Sequence, residues 1–173
     1  MNVLTVNLLF TTLVFGIAAR LYVLPKLKEL RPATVLLPIL LLHGLRNLGL
    51  MFLAPGATDP GMPASFAQPA AYGDLLAAIL AVLAIPAVAT GSTAARWLVL
   101  AFNLEGTVDL LDAIVLANVH VAAPYMGAAY WIPAFWVPSL LVTHYVTFRV
   151  LWLHWRGPAW SRLRDPRPAV GTP

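Results

Sequence analysis

Three apolar stretches of this chain carry polar side chains whose spacing could assemble chemistry. His43, Arg46 and Asn47 stand at offsets of three and four, so on one α-helix they share a broad face. Glu105, Asp109 and Asp112, at offsets of four and three, form an acidic stripe roughly 60° wide, with Asn103 and Thr107 beside it. His144 lies in the third stretch, between Ser139 and Thr147. Groups of these types inside a membrane can move protons, bind ions, hold the polar end of an apolar molecule, or pin helices together.

Counting about 1.5 Å per residue brings Arg46 and Asp109 to nearly the same depth, so the first expected contact is an ion pair between them. One guanidinium cannot neutralise three carboxylates. The surplus calls for a proton, a cation, water or a ligand. Glu105, near mid-depth, is the leading acid/base candidate, with His43 or His144 as the complementary group and Asp112 polarising water or substrate. Arg46, Asn47, Asp109, Asn103, Thr107 and Asp74 are expected to pair or to bind substrate, with Asn7 helping to complete the outer half of the cavity. Asp74 has a simpler reading as an acid at a helix start, where free amides welcome negative charge.

The elements that must position these groups follow from the apolar runs. With 173 residues, 60% of them hydrophobic and 10% charged, the chain is too apolar for an ordinary soluble domain. About 20 apolar residues cross a bilayer as a helix. Five runs meet this length: Val3 to Leu24, Thr34 to Leu53, Tyr72 to Ser92, Ala95 to Val121 and Trp131 to Leu153. Their continuous apolarity excludes barrel strands, and backbone satisfaction in lipid then requires helices. The expected fold is an all-α, polytopic bundle of five transmembrane helices over residues 1–156, with a short basic tail at 157–173. The first run has no basic residue ahead of it, so it reads as a retained helix rather than a signal peptide.

Charge placement orients the bundle. Arg20, Lys26, Lys28 and Arg31 flank the first connection, Arg96 the third, and Arg149, Arg156, Arg162, Arg164 and Arg167 the C-terminal end. The second and fourth connections carry no Lys or Arg. Positive charge on one side predicts an outside N-terminus and a cytoplasmic C-terminus in a cell membrane. Tyr125, Tyr130, Trp131 and Trp136 fit an outer aromatic belt, and Trp152, Trp155 and Trp160 an inner one. The Pro- and Gly-rich connection from Ala54 to Ala71 reads as a turn-laden cap, with Phe66 over the outer mouth of the bundle or lying on lipid.

Composition also excludes functions. The absence of cysteine removes disulfides and thiolate chemistry. The basic residues sit between apolar runs rather than forming a nucleic-acid surface. No nucleotide or hydrolase motif is present, and the histidine spacing does not specify zinc or haem; the cofactor stays unassigned. The expected partners are the bilayer and a small apolar or amphipathic ligand, and an oligomer could build a larger pathway. The expected function is binding of such a ligand in an intramembrane polar cavity, with conversion by acid/base chemistry as its extension. The competing readings are proton- or cation-coupled transport and a structural or accessory subunit.

Overall fold

The computed structural model describes residues 3–155, an all-α bundle of five helices. These are α1 (Val3–Ala18), α2 (Pro32–Gly44), α3 (Ala64–Ala89), α4 (Ala95–Val119) and α5 (Val137–His154). A π turn at Ala19–Val23 and a 3-10 turn at Leu24–Lys26 prolong α1. A 3-10 helix at Leu45–Leu53 prolongs α2, and a π turn at Ile132–Trp136 leads into α5. With these extensions, Val3–Lys26, Pro32–Leu53, Ala64–Ala89 and Gly127–His154 are long and apolar enough to cross a membrane. α4 has comparable length, 25 residues, but carries Glu105, Asp109 and Asp112 along its course. The proposed tail and Trp160 lie outside the described residues.

Successive helices alternate in direction, and their ends meet in two groups. At one end Arg96 Nη1 donates to Trp155 O at 3.5 Å, and His154 Nε2 lies 3.1 Å from Leu27 O. At the other, Asp59 N donates to Tyr125 O at 2.9 Å and Ala129 N to Ala57 O at 3.0 Å. The central element is α3, packed against α2, its 3-10 extension and α4. Its buried face includes Ala70, Ala71, Ala77, Ala78, Ala81 and Ala84. Small side chains at three- and four-residue spacing let neighbouring backbones approach, which is how helices gain packing where lipid is as apolar as leucine.

Two apolar clusters occupy the ends of the bundle. One contains Leu36, Leu40, Val88, Val99, Phe102 and Val150; the other contains Phe52, Phe66, Leu110, Met126, Ile132 and Leu140. Each of α2 with its extension, α3, α4 and α5 passes from one cluster to the other. The residues between them on those elements include Arg46, Asp74, Asn103 and His144, so the buried polar groups form a layer between two greasy halves.

Two expectations about the second connection are corrected. Turns end at Pro63 and α3 begins at Ala64, because proline is well suited to a helix start and the following Ala-rich sequence propagates it. Phe66 is consequently a core residue, 1% exposed, with its ring edge-on to Phe52 at 5.1 Å. Asp74 lies well inside the helix rather than at its start. Phe66→Ala should therefore cost about 3–5 kcal/mol, whereas Leu83→Ala, at a 57% exposed position, should stay within about 0.5 kcal/mol in detergent unfolding. Equal losses at the two sites would contradict the helix register.

Candidate functional site

The site is organised by the 3-10 helix that follows α2. In an α-helix His43 and Asn47 share a face, but from Leu45 the chain turns about 120° per residue. Residues three apart then stack, and His43, Arg46, Gly49 and Phe52 are all buried on one line. Asn47 is rotated out and exposed, which removes it from the site. A 3-10 run of nine residues is unusual, since such runs rarely exceed three or four. It is held by the layer it serves.

Arg46 is fully buried and takes partners from three other helices. Its Nε donates to Asp74 Oδ1 of α3 at 2.7 Å, and Nη2 donates to Asp109 Oδ2 of α4. Its Nη1 donates to Gly106 O at 3.2 Å and to His144 Nε2 of α5 at 3.3 Å. The expected Arg46–Asp109 contact is present, and Asp74 is a second carboxylate on the same guanidinium.

The hydrogen bonds fix both histidine tautomers. Because arginine only donates, His144 Nε2 must accept, so the ring proton sits on Nδ1 and is donated to Asn103 Oδ1 at 2.8 Å. Asn103 Nδ2 donates back to His144 O at 3.3 Å. Thr143 donates its hydroxyl proton to Leu140 O, so its oxygen accepts from His43 Nε2 at 2.9 Å. His43 Nδ1 is buried without a hydrogen-bond partner among the described residues. The His43 ring packs on His144 at 4.3 Å and edge-on to Phe102 at 4.9 Å.

Glycines make the room. A Cβ at Gly106 would lie 2.6 Å from Arg46 Nη1 and 2.7 Å from His144 Cε1. A Cβ at Gly49 would run into Asp74, and one at Gly73 into Asp109. Each glycine therefore sits where a polar side chain crosses a neighbouring backbone.

The acidic stripe of α4 is not gathered as one site. The buried line of α4 runs through Asn103, Gly106 and Leu110. At 100° per residue Asp109 is about a quarter turn from that line, Glu105 is farther, and Asp112 is farthest round. Asp109 reaches Arg46, Glu105 is only partly buried, and Asp112 is exposed. Asp112 is thus not in the cavity. Glu105 Oε2 is buried without a hydrogen-bond partner among the described residues. His144 meets Asn103, Arg46 and His43 rather than Glu105. Thr107 bonds back to Asn103 O at 2.6 Å, and Asn7 donates to Tyr130 Oη at 3.1 Å, so neither reaches Arg46. No group of three or more His, Cys, Asp or Glu side chains converges as metal ligands among the described residues.

Asp74 also borders a chamber of about 240 Å³ in the half of the bundle holding Phe52 and Phe66. Leu4 and Leu8 of α1, Leu110 and Ala113 of α4, and Ile132 and Val137 form much of its apolar wall. The residues that sequence reasoning missed are Gly73 and Gly106, together with the central role of Asp74. The three-residue period His43, Arg46, Gly49, Phe52 was the available signal for the 3-10 path.

The model of a family described as Domain of unknown function (DUF8737) matches residues 3–152. No curated protein and no solved structure matches the chain.

Removing one partner from a buried ion network leaves uncompensated charge, so Arg46→Met should destabilise the bundle by about 3–5 kcal/mol. Adding Asp74→Asn and Asp109→Asn to it should recover part of that loss. Asp112→Asn should change little. Denaturant unfolding in micelles reads all three; a neutral Arg46→Met would show that the network does not hold the bundle.

Proposed function

We propose that this chain, which belongs to the family described as Domain of unknown function (DUF8737), is an integral membrane protein that binds a small amphipathic or lipidic molecule in the chamber beside Asp74. The observation that carries this reading is the joining of an apolar chamber to a buried polar network through one carboxylate. Ligand pockets combine these features: apolar walls supply affinity and a few placed polar groups supply orientation. The chamber exceeds the cavity of about 150 Å³ that accommodates benzene in a helical protein. A ring or short chain with a polar end matches its size.

The distribution of titratable groups favours binding over the acid/base scheme expected from sequence. His144 has its lone pair engaged by Arg46, and neither His43, Glu105 nor Asp112 lines the chamber. Asp74 is the titratable residue that does. Proton or cation movement is the second reading, favoured by the unpartnered oxygen of Glu105. Against it, the centre of the polar layer is occupied by Arg46, whose three side-chain nitrogens are all engaged by protein groups.

All five helices cross the bilayer in this reading. α4 is carried by the shielding of Asp109 on Arg46 and by its length. The end bearing Arg20, Lys26, Lys28, Arg31 and Arg96 faces the cytoplasm. The chamber then lies in the outer half of a cell membrane, and the basic tail at 157–173 is cytoplasmic.

Two measurements test these statements. The native chain has no cysteine, so single substitutions report topology: an impermeant maleimide should label Asp59→Cys in intact cells and Arg31→Cys only after lysis. The reverse pattern would invert the bundle. For the chamber, toluene should raise the unfolding temperature of the purified full chain saturably, by several degrees at high occupancy. Ala113→Phe, which fills the chamber, should abolish the shift; Glu105→Gln and Asp112→Asn should preserve it. A shift unaffected by Ala113→Phe would remove the chamber as the site.

A further inference from the structure

Resting on the reading that the chamber takes a ligand, we propose that its ligand is cationic: a lipophilic ammonium whose nitrogen sits against the Asp74 carboxylate. The argument begins with charge. One guanidinium, Arg46, faces two carboxylates, Asp74 and Asp109. With all three ionised the network has one negative charge in excess, which either a proton on a carboxylate or a cation beside it can balance. In surroundings of low dielectric such a charge draws a compensating cation much more strongly than in water.

The chamber is the place where that cation can arrive. Asp74 is the charged side chain in its wall, and the rest of that wall is almost wholly apolar. The cation of the network is out of reach. Arg46 is 0% exposed, its Nε is taken by Asp74, its Nη1 by Gly106 and His144, and its Nη2 is engaged by Asp109. An entering molecule therefore meets the carboxylate and not the guanidinium. Asn118, also at the wall, spends one amide N–H on Ile114 O at 2.7 Å and keeps a second N–H and its carbonyl oxygen, so it is neutral and can donate as well as accept. The one ionisable group that an occupant meets is thus a carboxylate, and a positively charged donor matches it best.

Head-group chemistry follows. A carboxylate or phosphate would bring like charge against Asp74 with no cationic side chain in the wall to receive it. A hydroxyl would donate one hydrogen bond and leave the excess charge standing. An ammonium donates and neutralises at once. The hydrocarbon body is limited by the chamber volume of about 240 Å³, so one ring or a short branched chain fits, and a full phospholipid does not.

The test uses probes of one shape and different heads: toluene, benzyl alcohol, benzylammonium and benzoate, titrated calorimetrically into the full chain in nanodiscs of zwitterionic lipid at neutral pH. Benzylammonium should bind at least about tenfold more tightly than benzyl alcohol, which corresponds to about 1.4 kcal/mol, and benzoate should not bind. Ala113→Phe should eliminate benzylammonium binding, and Asp74→Asn, if folded, should level the amine with the alcohol while toluene still binds. Toluene and benzyl alcohol binding without an amine preference would overturn the cationic assignment and leave the chamber reading intact. Failure of every probe would overturn both. Amine binding that survives Ala113→Phe would place the cation elsewhere and overturn the assignment.

Discussion

A guanidinium sealed among apolar helices is the constraint from which the middle of this bundle follows. Arg46 has no contact with solvent, and an ion placed so costs several kcal/mol unless opposite charge and hydrogen bonds meet it. The obligation is distributed over the fold. α3 brings Asp74, α4 brings Asp109 and the Gly106 carbonyl, and α5 brings His144, itself oriented by Asn103. Displacing any one of these helices breaks a bond to the same side chain. Apolar packing above and below the layer supplies area, but the layer sets the relative heights of the helices, since a register shift would leave a charge unpaired.

The local backbone is shaped by the same demand. A 3-10 helix rises about 2.0 Å per residue against 1.5 Å for an α-helix and repeats every three residues. Continuing α2 in this form keeps His43, Arg46, Gly49 and Phe52 on one line, where an α-helix would drift round by the fourth member. The poorer hydrogen-bond geometry of a long 3-10 run is offset by what that line touches: Thr143, Asp74, Asp109 and Phe66. Glycine at 49, 73 and 106 completes the arrangement by removing Cβ atoms where polar side chains pass.

Sequence reasoning reached the architecture because long apolar runs interrupted by basic connections leave few alternatives to helices. It reached the Arg46–Asp109 contact because rise per residue is nearly constant in α-helices, so depth is countable. It failed where a local rule was overridden. Asn47 was assigned an α-helical angle that the 3-10 turn does not have. Pro63 and Pro69 suggest a loop, yet proline before a helix start is permissive and α3 tolerates the second one, so Asp74, expected to pair or bind substrate, also admits a reading as a helix-start acid that the longer helix rules out. The acidic stripe was correctly read as a stripe, but spacing within one helix cannot tell which way the helix is turned. That depended on Gly106 and Asn103 facing α5, a tertiary fact, and it left Asp112 outside.

The remaining helix has a different part. Leu4 is the buried residue of α1 proper, and most of its apolar side chains are exposed. It packs on α5 and the π turn before it, with Phe15 edge-on to Phe135 at 5.5 Å and Asn7 on Tyr130. Yet Leu4 and Leu8 wall the chamber, and Phe15, Ala18 and Tyr22 wall a second, more open cavity of about 630 Å³ between α1, α2 and α5. No bond from α1 to Arg46 exists among the described residues. Moving α1 therefore uncovers both cavities without disturbing the ion network, while moving any other helix opens the network first. The lock and the roof are built from separate elements. That separation lets a charged layer held by four helices coexist with an apolar chamber roofed in part by the fifth.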